Sequence, residues 1–449
     1  MDMHKFHLTA VILLILLHLF LPNGLYSQVT KDTVFNSSKK EKTIGKISNM
    51  LEKNYVYPET AKKISVFLKE QMNSHAYDSI NNPKTFAQVL TRDVQSISKD
   101  LHLKVIYNPD AAKRIKEDIG KEPDPEQEKQ HLEALKKENF GFKTVSKLSW
   151  NIGYVDFRNF IDAKISEETV ASAMAFIENS DAIIFDIRLN GGGDPTCVRL
   201  ICSYLFGDKP VHLNDLYYRP EDRTEEYWTL KKVDGKKMPD IPVYILTSNY
   251  TFSAAEEFAY NLQTQKRAII VGDTTGGGAH PGGTMAVNND FIIFMPMGRA
   301  INPVTKTNWE GTGVIPDVPV VSENALETAQ ILALKKIAEG TKDENYKKYF
   351  LFVAESIEGD MNSPLVDENT LKSYSGIYGE RKITYNSGKL YYRHGSRGKM
   401  AMTPISENAF MMKDLDYVRV TFDKDADGKV YSITESYDLG ENESFPKTE

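Results

Sequence analysis

Ser253 stands where a hydroxyl can be made reactive. The run Leu246-Thr247-Ser248-Asn249-Tyr250-Thr251-Phe252-Ser253-Ala254-Ala255-Glu256-Glu257 joins an apolar, β-rich stretch, Val243 to Leu246, to a helical pattern from Ser253 to Leu262. A strand-to-helix junction exposes its side chain, and the unpaired N–H groups of the first helical turn create positive potential that can hold an oxyanion. Serine is also a favoured helix N-cap, so this stretch alone decides nothing. A second stretch, Ile183-Ile184-Phe185-Asp186-Ile187-Arg188-Leu189-Asn190-Gly191-Gly192-Gly193-Asp194, runs an apolar strand into three glycines and a helix. Glycine lets a backbone approach an anion closely with its amides forward. A dinucleotide site uses the same logic, but Thr196 stands where the last glycine of Gly-x-Gly-x-x-Gly belongs. An oxyanion donor is the better reading, against plain tight turning.

A serine at its ordinary pKa needs a neighbouring base. Of nine histidines, His4, His7 and His18 fall in the leader, leaving His75, His102, His131, His212, His280 and His394. His131 lies in a charged linker and His394 in the last β region, which makes both poor candidates. His280, in Gly278-Ala279-His280-Pro281-Gly282, follows the nucleophile helix directly.

The elements around these residues form four parts. Residues 1–27 read as a signal peptide: His4, Lys5 and His7, a greasy run from Leu8 to Leu21 broken only by Thr9 and His18, then Pro22, Gly24 and Ser27. That predicts a secreted or periplasmic protein with no stable membrane span after cleavage. Residues 28–140 form a helical cap domain and charged linker, with apolar spacing of three and four in Ile44-Ile47-Leu51 and Ile64-Phe67-Leu68-Met72. Residues 141–345 alternate strand and helix, which implies an α/β core with a parallel or mixed sheet. Residues 346–449 carry short alternating strands and read as an accessory β barrel or sandwich. Within them Asp423-Lys424-Asp425-Ala426-Asp427-Gly428 mimics the start of a calcium loop, but Thr434 stands where the closing carboxylate belongs, so it reads as a hairpin turn.

With 55 Lys and Arg against 62 Asp and Glu, a net charge of −7 and no basic block, the chain has little to attract nucleic acid or anionic lipid. The only two cysteines, Cys197 and Cys202, lie five apart in one predicted helix, about 8 Å between Cα atoms and beyond easy disulfide reach.

Together these stretches resemble the serine peptidase family S41, which unites tail-specific proteases with interphotoreceptor-retinoid-binding proteins. The resemblance runs from about Thr43 to Val320. It rests on Asp186 to Gly193, on Ser253-Ala254-Ala255-Glu256, on Val271-Gly272-Asp273-Thr274-Thr275-Gly276-Gly277 and on Gly313-Val314-Ile315-Pro316-Asp317. It implies a crotonase/ClpP-like ββα core, Ser253 as nucleophile, and an oxyanion hole from the amides of Gly191, Gly192 and Ala254. The tail-specific branch activates its serine with a lysine after the nucleophile helix, yet Thr274 to Thr305 holds none. It also inserts a PDZ domain, for which the segment between Pro109 and Phe140 is too short. The retinoid-binding and tricorn-like branches instead place a histidine at the end of the cap and a glutamate before the Gly-Val-x-Pro-Asp motif. Those positions match His102 and Glu310, and Leu101 stands where tricorn-like enzymes carry a serine. The implied triad is Ser253, His102 and Glu310, with His280 as the rival base or a cleft-lining residue.

Two functions follow. One is a secreted serine peptidase that cleaves a peptide or unfolded protein through an acyl-enzyme on Ser253, with every role filled by a side chain or amide and no metal or organic cofactor. The other is a non-catalytic binding protein for an apolar ligand or peptide, its pocket lined by Tyr250, Phe252, Phe291 and Phe294.

Overall fold

A computed structural model describes residues 35–121, 124–412 and 415–449. The leader at residues 1–27 lies outside the described residues. No helix among the described residues is long and apolar enough to cross a membrane.

Three helices, Ser37–Asn54, Pro58–Asn73 and Pro83–Ser98, build the cap. Asn36 and Asn82 cap two of them through their side chains, and proline opens the second and third. Most of the expected stripes are buried, Ile44, Ile47 and Leu51 facing Ile64, Leu68, Phe86, Leu90 and Val94, while Met72 is partly buried and Phe67 lies outside this core. That core does not close on itself. It takes in Phe291, Ile293 and Met295 from a hairpin 200 residues later, whose strands are Gly282–Ala286 and Phe291–Pro296. The strand Lys104–Tyr107 joins the hairpin as third member, with Val105 opposite Ile293, so cap and core share one antiparallel sheet. Because both outer strands run the same way, the residues just before them, His102 and His280, arrive at the same end. The charged segment holds two surface helices, Pro109–Asp118 and Pro125–Lys137.

The core is a six-stranded sheet in the order Val318–Pro319, Ile269–Gly272, Val243–Thr247, Ala182–Asp186, Ile152–Phe157, Phe142–Leu148, parallel except for the last pair. Its central strands are apolar throughout because both faces are covered. Ile183, Phe185, Ile245 and Ile270 face the helices Ala163–Ile177, Pro195–Leu205 and Ala254–Thr264. Ala182, Ile184, Tyr244, Leu246 and Val271 face Ala325–Gly340. A second helix on that face, Glu344–Met361, has no counterpart in the sequence reading, which begins the β region at 346. Its Val353 and Ala354 are buried against the core, so the expected boundary falls inside a helix that belongs to the α/β layer. A smaller antiparallel sheet of His212–Tyr218, Arg223–Trp228 and Gly298–Ile301 flanks the core.

The C-terminal part is an eight-stranded antiparallel meander from Gly376–Tyr378 to Asn442–Pro446. A bridge between Tyr378 and Lys447, with Ile377 N–H donating to Glu449 O at 3.0 Å, brings first and last strands together into a near-barrel. Tyr374, Tyr378, Phe410 and Phe422 fill it. The Asp425 carboxylate accepts the amides of Asp427 and Lys429 at 3.1 and 2.8 Å, the geometry of a self-capped turn between strands. Cys197 and Cys202 are buried free thiols.

Candidate active site

Ser253 occupies the sharp turn between Val243–Thr247 and Ala254–Thr264, with φ 55° and ψ −123°. A non-glycine residue there is strained by on the order of 1–3 kcal/mol and persists only where its surroundings fix it. The fixing is visible on both sides. From the glycine-loop side, Phe252 N–H donates to Asn190 O at 3.2 Å, Thr251 Oγ1 to Ile187 O at 2.9 Å and Ser248 Oγ to Arg188 O at 2.5 Å. From the other side, Gly276 N–H donates to Thr251 O at 2.9 Å. The glycine loop is itself anchored: the Arg188 guanidinium makes two hydrogen bonds to Asp186, at 2.9 and 2.6 Å, and a third to Ser322 O at 2.7 Å.

Glu256, three residues into the helix, is fully buried. Its carboxylate accepts Thr275 Oγ1 and Gly277 N–H on Oε1, at 2.5 and 2.6 Å, and Gly278 N–H and Ser253 N–H on Oε2, both at 2.8 Å. Burial pushes this carboxyl up to about 7, against the pull of Thr275 and the three amides. Its place in the turn went unassigned in the sequence reading. The Ser-x-x-Glu spacing of a capping box was the signal that could have found it.

Gly192 packs directly on the turn: a Cβ there would fall 2.8 Å from Ser253 Cβ and 3.0 Å from Ala254 N, so only glycine fits. Its own amide donates to Asn190 Oδ1 at 2.9 Å and is therefore spent, contrary to its expected part as an oxyanion donor. Asn190 is fully buried and shapes this loop from within, which is why a local reading of three glycines missed it. Among the described residues, the amides of Gly191 and Ala254 have no protein acceptor.

His102 follows the left-handed end of the third cap helix at Lys99, and its backbone N–H donates to Asp100 Oδ1 at 3.0 Å. The ring lies 4.4 Å from the Phe252 ring and 5.6 Å from that of Phe294. It also abuts Gly278, where a Cβ would stand 2.5 Å from His102 Cε1 and 2.3 Å from the Phe252 ring. Burial pulls the imidazole down to about 4; Asp100 opposes that, and His280 and Lys104 add to it. The ring is neutral at neutral pH. Leu101, at the tricorn-like serine position, is exposed.

Behind His102 lies a buried polar network. Asp100 Oδ2 accepts Tyr55 Oη at 3.1 Å and lies 2.8 Å from His280 Nδ1. Burial would raise the Asp100 carboxyl, but His280 and His102 hold it below its ordinary value. Glu310 Oε2 accepts Ala279 N–H at 2.5 Å and sits 3.4 Å from His280 Nδ1. Burial and the Asp100 charge push Glu310 up to about 7. One ligand atom each from Asp100, His102 and Glu310 lie within 4.8 Å of one another, a set that could hold a metal ion. His102 and Glu310, predicted from separate ends of the chain, are thus brought together. So is His280, whose partners are Asp100, Glu310 and the edge of Tyr57. Among the described residues no hydrogen bond joins Ser253 to either imidazole. Phe291 does not line this site, contrary to expectation: it is buried in the cap core against Phe35, Phe86 and Tyr107.

Comparison with known proteins fits this geometry. Residues 151–320 match the model of peptidase family S41, and residues 32–144 match the model of the N-terminal domain of that peptidase in eukaryotic interphotoreceptor retinoid-binding protein. The tail-specific protease of Haemophilus influenzae is 30% identical over 118 residues, which cover 24% of this chain and 15% of that protein. Among solved structures, one from Parabacteroides merdae, provisionally named a peptidase, aligns over 66% of this chain and 97% of its own at 19% identity and TM-score 0.48. The tricorn protease aligns over 67% of this chain and 37% of its own at 14% identity and TM-score 0.41. Both domain matches point to one class of protein, the serine-type peptidases of a single family. The chain belongs to peptidase family S41.

Proposed function

We propose that the protein is an exported serine peptidase that cleaves peptides or unfolded proteins through an acyl-enzyme on Ser253. His102 takes the Ser253 proton and returns it to the leaving amine. Glu310 orients the imidazole directly or through a bridging group and steadies its charge while the tetrahedral intermediate exists. The amides of Gly191 and Ala254 receive the oxyanion, and Gly192 supplies the close approach rather than a donor. His102 is the better base because its ring touches Phe252 and Gly278, which border the turn, whereas the partners of His280 are the carboxylates behind it.

The observation that carries this reading is the strained Ser253, pinned through its own amide to Glu256 with the next amide, that of Ala254, left free. Ser253 also caps its helix in a capping box with Glu256, but a cap by itself needs no such strain. A fluorophosphonate probe tests it: labelling is expected on Ser253, absent in Ser253→Ala and reduced at least about 100-fold in His102→Ala, in line with the weight of general base catalysis. No labelling, with an apolar ligand or peptide retained through purification, would turn the reading to a binding protein that uses the aromatic wall of Phe252 and Phe294.

A further inference from the structure

We infer that Asp100, His102 and Glu310 form a binding site for one divalent transition-metal cation with zinc-like coordination, and that occupancy switches the peptidase off. The switch rests on the proposed function; the binding site does not.

One nitrogen and two carboxylate oxygens lie within 4.8 Å of one another, the donor set of a chelate. His102 Nδ1 stands 4.0 Å from Asp100 Oδ1, too far for a hydrogen bond. It is buried without a partner on a residue only 9% exposed, and Glu310 Oε1 is buried without a partner beside it. Zinc bonds to imidazole nitrogen and carboxylate oxygen run about 2.0–2.2 Å, so one ion spans up to about 4.2 Å between two ligands and about 3.4 Å at the tetrahedral angle. The 4.0 Å between His102 and Asp100 lies inside that range, and the three ligand atoms, all within 4.8 Å of one another, reach the ideal with a closure of at most about 1.4 Å. An imidazole in the donor set disfavours magnesium and calcium, which take oxygen. A cation also offsets two carboxylates crowded on one side of His280.

Inhibition follows from the ring's two nitrogens. A neutral imidazole carries one proton. To act as base through Nε2, His102 must carry that proton on Nδ1. A metal on Nδ1 moves it to Nε2, and the ring can no longer accept from Ser253.

Zinc and cobalt are titrated into full-length Ser253→Ala, which keeps all three ligands, by calorimetry and by visible absorption. We expect one equivalent of zinc that survives in a His75→Ala/His212→Ala background, which removes the exposed His75–Asp78 and half-buried His212–Asp215 pairs. Affinity falls at least about tenfold in both Asp100→Asn and Glu310→Gln, with folding checked by circular dichroism; two variants guard against a local collapse in one. In parallel, zinc abolishes casein hydrolysis by the unmutated protein and a chelator restores it. Absence of binding in the His75/His212 background, or binding indifferent to both ligand variants, overturns the inference. Zinc binding with no hydrolysis under chelator would sink the peptidase reading and leave the site standing. Hydrolysis under chelator that zinc does not touch would do the reverse.

Discussion

Replacing Glu256 by glutamine tests whether one carboxylate holds the nucleophile turn. Its two oxygens take two donors each, at 2.5–2.8 Å, in a site with no exposure. A glutamine amide offers one acceptor oxygen, and its NH2 must face either the pair Thr275 and Gly277 or the pair Gly278 and Ser253. Two buried donors lose their acceptor at about 1–3 kcal/mol each; an amide is also spared the desolvation of a charge, so the low end, about 2 kcal/mol, is expected. For a domain of this size that is a fall of about 4–8 °C in Tm. The chemical effect is larger. Ser253 is held at its strained φ partly by that bond, and a shift of about 1 Å in a reacting atom costs on the order of 100-fold. The assay is the second-order rate of fluorophosphonate labelling beside a thermal melt. A Glu256→Gln protein that labels at the unmutated rate and melts within about 1 °C of it would refute the reasoning, because the turn would then be held without the carboxylate.

Other expectations follow from the same site. Gly278→Ala puts a methyl 2.3–2.5 Å from the Phe252 and His102 rings, so labelling is expected to drop at least about tenfold while circular dichroism is unchanged. Burial raises the Glu256 carboxyl to about 7 and that of Glu257 to about 8; their stabilising contribution is whole below the unfolded value near 4.5 and is lost as pH rises through 7–8. His102, lowered to about 4 from 6.5, contributes stability above 6.5 that is lost as pH falls through 4. Together these three groups put the highest Tm near pH 4.5–5, and the decline from there to pH 7–8 should shrink in Glu256→Gln. Cys197 and Cys202 are buried, with the Cys197 thiol pushed up to about 12 by that burial, so a thiol reagent should titrate none in the native protein and two after denaturation.

Much of this architecture could be read residue by residue. The strand-turn-helix around Ser253, the three glycines and the cap stripes are local patterns, and each lies where spacing puts it. What escaped the sequence is what depends on distant partners. Glu256 looks like a surface capping residue until Thr275, Gly277 and Gly278 close over it. Asp100 gains meaning only when His280 and Tyr55 arrive from 180 and 45 residues away. The Gly192 amide reads as a free donor until Asn190 turns its side chain back. Phe291 belongs to the cap core because the hairpin that carries it crosses into another layer. The helix Glu344–Met361 was hidden because its burial is set by Ala325–Gly340 rather than by a strong stripe of its own.

The three-stranded sheet that pairs Lys104–Tyr107 with the hairpin at 282–296 has a consequence for biogenesis. His102, Ser253 and Glu310 leave the ribosome far apart, and the first of them has no working neighbourhood until the hairpin has been made and threaded beside it. A chain whose cap has not docked holds Ser253, the proposed nucleophile, apart from His102, the proposed base. On the proposed mechanism, hydrolytic competence is acquired only once cap and core share this sheet, after the hairpin at 282–296 has been made.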